Sequence, residues 1–128
     1  MKYLSVEEVL VIHYDLIEAT GGSHGVREIG LLASATERPK MRFGGKELYP
    51  SVFDKAAVYF DSLARHHVFI DGNKRTAFAI AVRFLFINKY AFEVSNSEAE
   101  KFVLKAVIRK LDLSVIAKWL KKNSRKIK

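Results

Sequence analysis

Serine followed three residues later by an acidic residue recurs in this chain just ahead of apolar periodicity. It does so at Ser5-Val6-Glu7-Glu8 and at Ser97-Glu98-Ala99-Glu100. Such a capping box satisfies two backbone N–H groups that only a helix start leaves without partners. A first helix therefore opens at Ser5 and carries an apolar stripe through Ile17, with Gly21-Gly22 to end it. A short helix fits residues 27–37 and stops before Pro39. Ser51 to Asp54, directly after Pro50, starts a third helix over 52–67, and a fourth fits 74–89. Residues 98–110 and 114–123 complete about six helices with short connections, the habit of a compact all-α fold.

A chain of 128 residues suits one domain around one core, here residues 1–128 with a basic tail over about 118–128. Hydrophobic residues at 49% and charged residues at 28% describe a soluble globular protein. No cysteine is present, which rules out disulfides and fits a reducing compartment. Acidic residues fall where a signal peptide needs apolar ones, and the longest apolar run, Thr76 to Ile87, contains Arg83. A cytoplasmic protein without membrane contact is expected. The net charge of +8 resides mostly in residues 118–128, which hold six basic and no acidic side chains. A tail of this kind is most simply solvated, and direct nucleic-acid binding is not expected.

One segment departs from helical patterning. Gly44-Gly45 lies between short runs with aromatic and apolar residues and fits a two-residue hairpin turn. The hairpin is either a structural connector or an edge that offers backbone hydrogen bonds to a visiting peptide.

Chemistry concentrates at residues 66–78, HHVFIDGNKRTAF, where a loop enters the fourth helix. Free N–H groups and the positive end of the helix dipole attract anions there, phosphate above all. Gly72 lets the backbone turn and approach a ligand, Lys74 and Arg75 add two cations, and Asn73 adds a neutral donor. Asp71 fits beside phosphate once Mg²⁺ joins them. His67, four residues earlier, is suited to taking a proton near neutral pH. Together these groups read as transfer from a nucleotide to a hydroxyl.

Plainer roles exist for each residue. Asp71 or Asn73 could cap the fourth helix. Phe69 reads as a core anchor, and His13, inside an apolar run, as a satisfied core histidine. His66 competes with His67 for the catalytic role. Gly44 to Glu47, "GGKE", lacks the first glycine and the hydroxyl residue of a P-loop. A metal hydrolase built on His66, His67 and Asp71 lacks a second carboxylate pair.

His67 to Arg75 resembles the signature of the Fic fold, H-x-F-x-[DE]-[GA]-N-[GK]-R, at every specified place. The segments YLSVEEVLVIH, GLLASATERP, FGGKELYP and KAAVYFDSLARHHVF are similar to the death-on-curing (Doc) branch of toxin–antitoxin pairs. The resemblance implies a six-helix fold with the fourth helix buried at its centre and a β-hairpin flap. It further implies His67 as general base, Asp71 as the Mg²⁺ carboxylate, and Gly72, Asn73, Lys74 and Arg75 as phosphate ligands. Arg65 would add a phosphate contact. Phe43, Gly44, Gly45 and Lys46 would form the flap that aligns a target segment.

Most Fic enzymes carry glycine where Lys74 stands and a second arginine where Phe78 stands, and those features admit AMP transfer. Doc toxins share the lysine and lack that arginine. The resemblance therefore implies a kinase that moves the γ-phosphate of ATP to a threonine or serine of elongation factor Tu and arrests translation. No inhibitory Ser/Thr-x-x-x-Glu-Gly/Asn motif is present, so restraint would come from a cognate antitoxin. AMP transfer by the same site is the enzymatic alternative. A relative without catalysis, acting by binding antitoxin or ribosome, is the alternative of another class.

Overall fold

The computed structural model describes all residues, Met1 to Lys128. Six α-helices dominate: α1 (Val6–Thr20), α2 (Ile29–Glu37), α3 (Val52–Arg65), α4 (Asn73–Ile87), α5 (Asn96–Ile108) and α6 (Leu113–Lys122). A 3-10 turn, Arg38–Lys40, leads from α2 into the hairpin of β1 (Arg42–Phe43) and β2 (Lys46–Glu47). No helix is long and apolar enough to cross a membrane.

The caps fall largely where the sequence places them. Ser5 and Ser51 each accept from the backbone N–H three residues on, while Glu8 and Asp54 reach back to the cap. Helix α5 is the exception, because Ser95 rather than Ser97 is its N-cap, accepting from the Glu98 N–H at 3.1 Å. The same serine-to-glutamate spacing fits two registers here, and the earlier one wins.

Twenty-three buried side chains form one core cluster, drawn chiefly from α3 and α4 with Leu4, Leu32, Ile116 and Leu120. Burial corrects one expectation. Ten of the fourteen residues of α3 are buried against six of fifteen in α4, so α3 is the more enclosed helix. The reason lies in its composition: Ala56, Ala57 and Ala64 let neighbours close on several sides, while Tyr59, Phe60 and Leu63 fill the space between them.

The basic tail is also not simply solvated. Ile116, Ala117 and Leu120 bury one face of α6, and Ser124–Lys126 form a strand, β4, antiparallel to β3 (Tyr90–Phe92). Trp119 stacks on Phe102 with ring centroids 3.8 Å apart. A charge run hid this strand, because its backbone pairs while its lysine and arginine side chains stay in water.

Candidate active site

Helix α3 ends at Arg65, and two histidines in unlike backbone states follow. His66 has φ −102° and ψ 9°, whereas His67 takes φ +48°. The left-handed conformation costs a non-glycine residue about 1 kcal/mol. Across that bend the two side chains enter different clefts. His67 lines one of about 440 Å³ with Asp71, Gly72, Asn73, Lys74 and Arg75. His66 lines another of about 420 Å³ between α2 and α3, beside Arg38, Met41 and Asp61.

The loop that carries His67 is sewn to the segment after α1. Val26 and Phe69 form an antiparallel bridge, Arg27 N–H donates to the Val68 carbonyl at 2.8 Å, and Ile70 N–H donates to Gly25 at 3.1 Å. The buried Phe69 ring stacks on His13 with centroids 3.8 Å apart. His13 Nε2 lies 2.9 Å from the Asp71 carbonyl, which can only accept, so that nitrogen carries the proton. His13 is thus the satisfied core histidine the sequence suggests, and it also supports the site.

Asp71 is held by backbone donors. Its Oδ2 accepts from Ser23 N–H at 3.1 Å and its Oδ1 from Gly72 N–H at 2.8 Å. The Ser23 and Gly72 donors keep its carboxyl below the usual range, with smaller help from the Arg75 and His13 charges. Gly22 makes this approach feasible, since a Cβ there would stand 2.6 Å from Asp71 Oδ2. Nothing in the sequence around Gly22 and Ser23 advertises the contact, which spans 48 residues.

Neither Asp71 nor Asn73 caps α4. Its N-cap is Gly72, at φ +74° and ψ 22°, and it supplies no side-chain hydrogen bond. The first-turn N–H groups therefore stay available to an anion. Glycine also suits the φ of +74°, and a Cβ there would press on Ile17 Cδ1 at 3.0 Å. Lys74 and Arg75 are exposed at this end, and Arg75 Nη1 donates to Thr20 Oγ1 on α1.

Two residues make contacts that the sequence does not announce. The Asn73 amide closes on one residue of the loop, with Oδ1 accepting from Phe69 N–H and Nδ2 donating to the Phe69 carbonyl, each at 2.9 Å. It shapes the loop and keeps a single N–H free for a ligand. Arg65 turns away from the cleft altogether. Its Nη2 donates to the Leu111 carbonyl at 2.6 Å and to Ala106 at 3.3 Å, and its Nε lies 2.6 Å from Asp61 Oδ1. Arg65 thereby ties the end of α3 to the Leu111 carbonyl between α5 and α6 and to the last turns of α5.

A second groove, of about 350 Å³, runs between α4 and α5 and is lined by Phe78, Asn96, Ala99, Glu100 and neighbouring apolar residues. It shares Lys74 and Arg75 with the His67 cleft. No group of three or more His, Cys, Asp or Glu side chains gathers anywhere in the chain. Mg²⁺ at Asp71 would therefore have one protein carboxylate and take further oxygens from phosphate and water, the manner in which this ion commonly binds nucleotides.

The flap is a hairpin with Arg42 opposite Glu47 and Phe43 opposite Lys46. Gly44 and Gly45 turn at φ +58° and +80°, the two left-handed residues of a type I′ turn. Phe43, Gly44, Gly45 and Lys46 are all exposed, Phe43 to 79%. None of them lines the His67 cleft, although Met41 at the flap root lines the neighbouring one.

The protein called Toxin Doc of Mycolicibacterium smegmatis is 42% identical over 118 residues, covering 91% of this chain and 88% of its own. Protein kinase doc of Escherichia phage P1 is 29% identical over 123 residues, 95% of each chain. The sequence model of the Fic/DOC family matches residues 3–85, which take in α1, the flap, α3, the His67 loop and nearly all of α4. Every element that frames the His67 cleft lies within that stretch, and the chain belongs to the Fic/DOC family.

Proposed function

We propose that the chain is a Doc-like toxin, a phosphotransferase that moves the γ-phosphate of ATP to a serine or threonine hydroxyl of elongation factor Tu in the cytoplasm. The observation that carries this reading is that His67 and Asp71 share one cleft with the uncapped start of α4, Lys74 and Arg75. Relatives named as a toxin and as a protein kinase support it. A cognate antitoxin would restrain the activity.

In the reaction His67 takes the proton of the target hydroxyl while its oxygen bonds to the γ-phosphorus. The bond to the β–γ bridging oxygen breaks, and ADP leaves. Asp71, held ionised by Ser23 and Gly72, would ligate Mg²⁺, whose charge offsets that of the triphosphate. The first-turn N–H groups, Lys74 and Arg75 hold the phosphates in line. The α4–α5 groove shares those two cations and offers Phe78 and Ala99 as an apolar wall for the nucleoside. A nucleotide seated this way points its terminal phosphate toward His67, and seating decides which group moves.

The test incubates the protein with elongation factor Tu and ATP labelled at either the γ- or the α-phosphate. Label from the γ-position alone, lost on chelation of Mg²⁺, is the expected outcome. Label from the α-position would establish AMP transfer instead. No label from either, with binding to antitoxin or ribosome retained, would make the chain a non-catalytic relative.

A further inference from the structure

Position 55 holds a lysine where the fold asks for an apolar side chain. Lys55 lies at the first turn of α3, on its buried face, and is 1% exposed. Its Nζ donates to Glu47 Oε1 at 3.0 Å and to the Tyr49 carbonyl, so both partners belong to the flap or the residues just after it. Burying an ammonium group carries a desolvation penalty on the order of what pairing returns. An apolar residue of similar length would fill such a slot with equal or better stability. Stability of the core therefore does not account for lysine. What lysine does, and methionine does not, is hold Glu47 and the Tyr49 carbonyl in fixed directions.

The other root of the flap is fastened to the same helix. Arg38, just before β1, donates to Asp61 Oδ2 at 2.9 Å and to Ser62 Oγ at 3.0 Å. Its guanidinium also lies over the Tyr49 ring, 5.7 Å from the centroid, joining the two roots. A two-stranded hairpin with every strand residue exposed has little packing to hold it. Helix α3, which holds it, is the helix that ends at the His66-His67 pair.

We propose that Lys55 is a positioning residue for the protein substrate, a buried ammonium that fixes β2 so the flap meets its target in one register relative to His67. This rests on the phosphotransfer reading for its functional half, whereas the tether itself does not.

Two variants with opposite effects on stability test it. Lys55→Met should leave Tm unchanged or raise it, because the exposed Glu47 can hydrate. Glu47→Ala should lower Tm, because the buried ammonium loses its carboxylate. Both should speed amide hydrogen exchange across residues 42–48 by about tenfold and raise KM for elongation factor Tu by about tenfold. Turnover at saturating target and the affinity for ATP should stay within about twofold. A merely structural lysine would move Tm and ATP affinity together in both variants. Unchanged flap exchange overturns the tether, and faster exchange with unchanged KM overturns the positioning role. Failure of the unmodified protein to transfer phosphate overturns the phosphotransfer reading and the positioning role with it, and the exchange data then still report the tether by itself.

Discussion

The flap and the His67 loop both turn on residues with positive φ, yet they are held in opposite ways. A Cβ on Gly44 or Gly45 would meet nothing within 4 Å, whereas one on Gly72 would press on Ile17 Cδ1 at 3.0 Å. The His67 loop is fixed by backbone bonds to residues 25–28, by the Asn73 amide and by the Phe69 ring on His13. The flap touches the body through side chains at its roots. Backbone and ring contacts leave the reacting groups little freedom, as in-line transfer requires. Side-chain tethers leave an exposed edge that substitutions can retune. In the proposed reaction, chemistry and recognition are thus anchored by different kinds of bond.

The sharpest break of this contrast comes from the two histidines. His67→Ala should lower transfer at least about a hundredfold, with ATP affinity retained by titration calorimetry. His66→Ala should cost no more than about threefold. The glycines come next. Gly72→Ala should destabilise by about 2–3 kcal/mol in urea unfolding, through left-handed strain plus overlap with Ile17. Gly44→Ala should lose only the strain, about 1 kcal/mol. A smaller effect has the opposite sign: His67→Gly should gain about 0.5 kcal/mol in stability while abolishing transfer.

The smallest effect separates two carboxylates. Glu47 is held below its usual range by the hydrogen bond and charge of Lys55, and Asp71 by the N–H groups of Ser23 and Gly72. A depressed folded pKa adds stability that is fully present above the unfolded values, about 3.9 for Asp and 4.3 for Glu. That stability is lost as pH falls through the folded values. Salt screens the Lys55 charge but not neutral donors. Carboxyl titration by NMR should therefore show the Glu47 pKa rising further toward normal at high salt than that of Asp71, for which the Arg75 and His13 charges are the smaller cause.

Local chemistry made much of this legible. Ser5 and Ser51 announce helix starts because their side chains bond within four residues, and Gly44-Gly45 announces its turn because only such residues adopt it cheaply. The clustering of His67 with Asp71 to Arg75 follows from a loop meeting a helix start. What stayed hidden is non-local or polar. The Ser23 bond to Asp71 and the pairing of β4 with β3 join distant segments through backbone atoms that no side chain marks. The resemblance puts Arg65 at phosphate and nothing in the sequence singles out Lys55, whereas packing shows the carbonyls and carboxylate each one serves.

Because both flap roots and the His66-His67 pair depend on α3, this helix works as a ruler with a fixed step. Each residue of an α-helix advances about 1.5 Å and rotates about 100°. One residue inserted between Lys55 and Arg65 would swing the histidines by that angle relative to the flap and misalign the proposed target and base together. The hairpin carries no such constraint, since its turn faces open space and can change length or composition while its roots stay put. Diversification of targets in chains built this way is therefore expected to run through the flap, with the length of α3 held constant.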